Sequence, residues 1–263
     1  GVYEMIEAID DKYVKMRKEL YGDHKHNLWK CRWGATLNYN GIYNTSIYFD
    51  DDTGANYTYE LESNIENFDA AKEQLIEFTR NVTQRKGQDF HDWIASVCDV
   101  RLLLRTYAVN VVVGMWDDYW NNKNNYYIYF NSSDKDKYKF YFIPFDYDNT
   151  LGTSHNCGVQ SDSGRHDPLN WGNTNESPLV GKYEDYRAIY VEALNELINP
   201  ANNLFYYESS IARINSWHSM IRDYVVNDTE EDCEIKDRPA GWGNIYDYRI
   251  LDPNSSMNFF KVK

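Results

Sequence analysis

Residues 89–115 form the most apolar stretch of the chain and restrict its fold more than any other feature. Trp93, Ile94, Val97, Val100, Leu103, Leu104, Tyr107, Ala108, Val111 and Val112 recur every three or four positions. That spacing predicts one long helix, apolar around most of its circumference. Such a helix needs neighbours on nearly every side, so it predicts the buried pillar of a helical lobe. No run approaches the roughly 18 consecutive apolar residues of a membrane-spanning helix.

Other elements arrange themselves around this pillar. The first ten residues read as a strand entering a short charged helix, and 28–61 reads as strands separated by polar turns such as Asp50-Asp51-Asp52-Thr53-Gly54. A helix follows, capped by Asn64 or Asn67, with Phe68, Ala71, Leu75, Ile76 and Phe78 on its apolar face. Beyond the pillar, 126–130 and 138–143 read as a hairpin around a polar turn, and Pro144 ends its second strand. A polar loop follows at 145–152, and a longer one runs through Trp171 and Gly172. Helices resume near 183–198 and 204–226, and the tail after Asp228 reads as irregular. No repeat or low-complexity linker divides residues 1–263, so they read as one domain.

Charge and cysteine usage exclude several function classes. The chain carries 41 Asp and Glu against 27 Lys and Arg, a net charge of -14. A surface this acidic repels phosphate backbones, which argues against nucleic acid and anionic membranes as partners. Cys31, Cys98, Cys157 and Cys233 form no CxxC pair, so structural zinc is not expected; two disulfides or four buried thiols remain open. Seven N-x-S/T sites, at Asn44, Asn56, Asn81, Asn131, Asn175, Asn227 and Asn254, fit a secreted, glycosylated protein.

The chemistry concentrates where the pillar ends. Asp117 and Asp118 close it, an asparagine cluster follows at Asn121, Asn122, Asn124 and Asn125, and the hairpin doubles back to Asp146 and Asp148. Carboxylates and an amide oxygen meeting at one edge suit Mg²⁺ or Mn²⁺, which take hard oxygen ligands. A further carboxylate there accepts a proton from an attacking hydroxyl. Surface turns also use Asp and Asn, so spacing alone leaves an ordinary turn as an alternative.

Longer motifs carry a family resemblance. The run Asp99-Val100, Leu103-Leu104-Arg105, Tyr107-Ala108-Val109-Asn110 and Gly114-Met115-Trp116-Asp117-Asp118 resembles the D-V…L…Y-A-V-N…W-D helix of the spore-coat-H (CotH) kinase-like family. Asn124-Asn125-Tyr126-Tyr127-Ile128-Tyr129, with Phe142-Ile143-Pro144-Phe145-Asp146-Tyr147-Asp148-Asn149-Thr150-Leu151-Gly152, is similar to its N-N-Y-Y-L-Y…F-I-P-W-D-x-D-x-T-F-G signature. The resemblance implies an α+β, atypical protein-kinase-like fold, mainly the helical C-lobe with an active-site hairpin. It implies transfer of the ATP γ-phosphoryl group to Ser or Thr of secreted or cell-surface proteins, with Mg²⁺ or Mn²⁺ as the metal and Ca²⁺ as a further option.

Carried over by position, Asp118 is the expected catalytic-loop aspartate, the proton acceptor or the group that orients the substrate hydroxyl, with Asp117 able to exchange roles with it. Asn125 or Asn124, Asp146 and Asp148 are the expected metal ligands. The opening Gly1-Val2-Tyr3-Glu4-Met5-Ile6-Glu7-Ala8-Ile9-Asp10 resembles the family's hinge-like segment and offers Glu7 as a cofactor-binding residue. In the family that segment follows the small N-lobe. The lobe carrying the phosphate-gripping Lys or Arg is therefore expected upstream of residue 1, and residues 1–263 alone are expected to transfer little phosphate.

Other chemistries find little foothold. There is no HExxH or GxSxG motif, and His24-x-His26 reads as a solvated turn. Cys157, near His155, reads as a disulfide partner before a nucleophile. A glycosidase using Asp118 and Asp146 is a remote reading. A different class remains: a catalytically vestigial module binding glycans, cell surfaces or proteins, with Trp116, Trp120, Trp171 and Trp242 as candidate stacking residues.

Overall fold

The structure, a computed structural model, describes residues 5–42, 46–50, 53–134, 137–152, 166–172, 179, 182–226, 254–256 and 258–263. Strands β1 (Asn27–Cys31), β2 (Ile47–Phe49), β3 (Tyr59–Leu61), β4 (Tyr126–Asp134) and β5 (Lys137–Pro144) form one sheet in the order β2-β3-β1-β4-β5. All pairings are antiparallel except β2 with β3. The described helices are α1 (Asp11–Met16), α2 (Lys18–Tyr21), α3 (Tyr39–Ile42), α4 (Phe68–Gln84), α5 (Gly87–Val97), α6 (Val100–Val113), α7 (Arg187–Ile198), α8 (Tyr207–Val226) and α9 (Phe259–Val262). The fold is thus mixed α and β, as expected.

Alternation sorts the strand residues onto two faces. Trp29 and Cys31 of β1, Tyr126, Ile128 and Phe130 of β4, and Phe140 of β5 join the main core with α4, α5 and α6. Leu28, Tyr127, Tyr129 and Ile143 face the other way and pack with Ile9, Val14 and Tyr21 from the α1–α2 segment. β4 therefore has a covered face on each side, and Tyr126-Tyr127-Ile128-Tyr129-Phe130 is buried throughout. That double burial is why this strand reads as an unbroken apolar run rather than an alternating one.

The single long helix expected over 89–115 is two. α5 stops at Val97, Cys98 makes a one-residue parallel bridge to Phe140 of β5, and Asp99 starts α6 by accepting from the Leu102 N–H at 3.0 Å. A carboxylate at an N-cap satisfies a donor that a continuous helix would have paired internally, and the apolar periodicity running through the break conceals it. The cap expected of Asn64 or Asn67 also differs. Neither side chain caps its helix; Asn67 donates instead to Asn64 Oδ1 at 2.7 Å.

The disulfide reading is corrected for two of the four cysteines. Cys31 and Cys98 are both buried free thiols, on β1 and at the end of α5, so two bridges cannot form. Cys157 and Cys233 lie outside the described residues. Three of the four tryptophans offered for glycan stacking, Trp116, Trp120 and Trp171, are core residues. Trp120 stacks on Tyr107 at 4.7 Å, and Tyr107 stacks in turn on Tyr190 of α7 at 5.0 Å. Trp242 lies outside the described residues. Among the described residues, no helix is long and apolar enough to cross a membrane.

Candidate active site

α6 ends at Gly114, whose φ of 70° is the left-handed conformation that terminates helices and that glycine adopts without a Cβ penalty. The chain turns sharply there, and Asp117 and Asp118 are both buried, at 3% and 1% exposure. Two neighbouring carboxylates this deep need separate partners, and they have them.

Asp118 belongs to the helix side. Its Oδ2 accepts from Asn110 Nδ2 at 3.0 Å and its Oδ1 from the Asn121 N–H at 2.9 Å. Burial pushes its carboxyl up to about 7, opposed by those hydrogen bonds, with the Asp117 charge adding a smaller upward push. Asp117 belongs to the asparagine side. Its Oδ1 accepts from Asn122 Nδ2 at 2.6 Å and Asn124 Nδ2 at 3.1 Å, and its Oδ2 from Asn125 Nδ2 at 3.0 Å. Asn122, Asn124 and Asn125 thus form a collar of amides around one carboxylate.

The hairpin returns the acidic loop to this collar. The Phe145 N–H donates to the Asn125 carbonyl at 3.1 Å, and the Leu151 N–H donates to the Val113 carbonyl at 2.7 Å. Between these two pins lie Asp146, Tyr147 and Asp148. Tyr147 reaches back inside, its hydroxyl donating to Asn110 Oδ1 at 2.6 Å. Burial, with Asp118 beside it, pushes the Tyr147 phenol upward. The Asp148 carboxyl is also held above its usual range, first by partial burial, then by the Asp146 charge, with Asp117 contributing. Negative charge therefore converges on the loop, which a cation would relieve.

Four residues here hold positive φ without being glycine: Lys123 at 56°, Asn125 at 52°, Asp146 at 61° and Leu151 at 55°. Asn and Asp tolerate this region better than other L-residues. Asn124, Asn125 and Asp146 line a cleft of about 600 Å³ together with Lys30 of β1 and Arg32, which follows it.

The expected ligands are thus partly brought together. Asn124, Asn125 and Asp146 line one cleft, with Asp148 two residues further along the same loop as Asp146. Among the described residues, no group of three or more His, Cys, Asp and Glu side chains forms a closed metal cage. Ca²⁺ asks for six to eight oxygens, whereas Mg²⁺ keeps several waters and takes one or two carboxylates plus substrate phosphates. The amide and carboxylate donors present fit the second pattern.

Glu7 does not join them. It is not among the cleft-lining residues, and Arg17 holds its carboxylate through two contacts of 2.9 and 2.8 Å, which lowers its carboxyl below the usual range. Asn110 and Tyr147 are structural members of the site that the motif reading passed over. The available signal was a polar Asn110 inside the apolar periodicity of α6, since a buried amide there needs polar partners.

The model of the family described as CotH kinase protein matches residues 1–248. The chain belongs to the CotH kinase family. None of the curated proteins matches it. The CotH match spans β1, the α6 terminus, the asparagine collar and the β4–β5 hairpin, so every wall of the cleft lies within the family domain. The α+β architecture with its five-stranded sheet is compatible with a CotH kinase-like domain.

Proposed function

We propose that the protein is a secreted, metal-dependent protein kinase that moves the ATP γ-phosphoryl group to Ser or Thr hydroxyls of extracellular or cell-surface proteins. The observation that carries this reading is the Asp117 carboxylate, collared by Asn122, Asn124 and Asn125 beside a cleft that also bears Asp146. Seven N-x-S/T motifs support secretion.

In this reading Asp117, rather than Asp118, is the proton-accepting carboxylate. It orients the acceptor hydroxyl and receives its proton as the new O–P bond forms and the bond to the departing ADP oxygen breaks. Asn125 and Asp146, with Asp148 beside them, would hold Mg²⁺ or Mn²⁺, which when bound neutralises phosphate charge. Asp118 keeps the turn in place through Asn110 and Asn121.

Thermal unfolding of the full-length protein with Mn²⁺, with and without ATP, tests this, followed by labelling of protein acceptors with radiolabelled ATP. A rise in Tm that needs both ligands, and labelling that Asp146→Ala abolishes, would support it. No shift and no labelling would sink it. One observation favours a second reading, a non-catalytic binding module: Trp33, at the cleft rim, is 71% exposed. Such a module would bind its partner equally well after Asp146→Ala and lose binding after Trp33→Ala.

A further inference from the structure

Lys30 of β1 and Arg32, just past its end, line the same cleft as Asn124, Asn125 and Asp146, and the two cations differ. Alternation along β1 buries Trp29 and Cys31 in the main core and leaves Lys30 on the opposite sheet face, in register with Glu60 of β3 and Tyr127 of β4. Arg32 is already committed. Its Nε and Nη2 lie 3.0 and 2.7 Å from Glu60 Oε2, and Glu60 is buried. Lys30 forms no salt bridge among the described residues; its ammonium lies over the Tyr127 ring at 5.9 Å from the centroid. The carboxylates that line the adjoining pocket with Lys30 and Arg32 are Asp50, Glu60 and Glu62; burial pushes the Glu62 carboxyl up, and the Lys30 charge opposes that push.

A polyphosphate whose cation sits at Asn125 and Asp146 carries residual negative charge on its remaining oxygens. Those oxygens need a donor in the same cleft, and a lysine ammonium on a flexible stem is the point charge suited to them. From this we infer that Lys30 is the phosphate-contacting cation of the cleft and that Arg32 is a fixed wall element held by Glu60. The inference rests on the nucleotide reading above and supplies, from a strand within residues 1–263, a contact that the motif reading sought upstream.

Calorimetric titration of the full-length wild type, Lys30→Met, Lys30→Gln and Lys30→Arg with ATP in the presence of Mn²⁺ tests it, with adenosine as the phosphate-free control and circular dichroism as the fold check. Lys30→Met and Lys30→Gln should weaken ATP binding about tenfold or more while leaving adenosine binding within about twofold, and Lys30→Arg should retain most of the ATP affinity. Mn²⁺ binding without nucleotide, read by its paramagnetic resonance signal, should not change in any Lys30 variant. ATP binding within about twofold of wild type in a folded Lys30→Met or Lys30→Gln protein overturns this inference and leaves the kinase reading intact. A wild type that binds no ATP overturns both. Equal losses for ATP and adenosine would mark Lys30 as a structural residue and overturn the assignment.

Discussion

The Tyr147 hydroxyl donates to Oδ1 of Asn110 at 2.6 Å, so a residue between two loop carboxylates is fastened to a buried helix. The same Asn110 amide donates to Asp118, and one side chain therefore sets the position of both the helix-end turn and the acidic loop. Tyr147→Phe removes one hydrogen bond of about 1 kcal/mol from a part-exposed site. It should lower Mn²⁺ and ATP affinity several-fold by loosening Asp146 and Asp148, with a small change in Tm. Asn110→Ala leaves Asp118 short of a donor and Tyr147 short of an acceptor, and should cost about 2 to 4 kcal/mol in denaturant unfolding.

The two neighbouring aspartates should separate cleanly in mutagenesis. Asp117→Asn keeps the size of the side chain but removes the proton acceptor. It should cut phosphoryl transfer by on the order of 10² to 10⁴ while ATP binding persists. Asp118→Asn should change turnover far less. Single-turnover labelling alongside binding titration distinguishes the two, and an equal loss of turnover in both variants would refute the assignment of roles.

Asp118 also predicts a pH dependence of stability. Its folded-state carboxyl is raised from 3.8 to about 7, so the folded protein retains a proton that the unfolded chain releases. The contribution is fully present below about pH 4 and is lost as pH rises through about 7, at about 1.4 kcal/mol for each unit of elevation at most. Chemical denaturation between pH 4 and 8 should show this decline superimposed on the other titrations, and Asp118→Asn should flatten it.

The free thiols at Cys31 and Cys98 should be unreactive in the folded protein. Burial raises Cys31 well above the usual thiol range and Cys98 to about 12, so neither offers appreciable thiolate at neutral pH. Alkylation followed by peptide mapping should modify both only on unfolding. Rapid modification of Cys31 in native buffer would contradict its placement beneath Tyr59 and Tyr126.

The parts of this molecule that could be read from its residues are those built from neighbours in the chain. The hairpin around 126–144 was visible because β4 is apolar on both faces and Pro144 marks its end. The break at Cys98–Asp99 was not, because the apolar rhythm of α5 continues into α6 and only a capping contact and a bridge to Phe140 interrupt it. The choice between Asp117 and Asp118 depends on the turn after Gly114, where adjacent side chains separate toward Asn110 and toward the asparagine collar. Lys30 was passed over because its cleft is assembled from β1, the segment before β3, the asparagine collar and the acidic loop. No spacing rule links those segments.

The left-handed backbone at Asn125 and Asp146 narrows the alphabet open to this site over generations. Glycine would relax either position but carries no oxygen on its side chain, and branched or bulky residues meet a steric cost. Only asparagine and aspartate meet the conformational and the chemical demand together. Lineages that keep the chemistry should therefore exchange these two letters at both positions, and the arrival of glycine there would date the point at which a descendant gave it up.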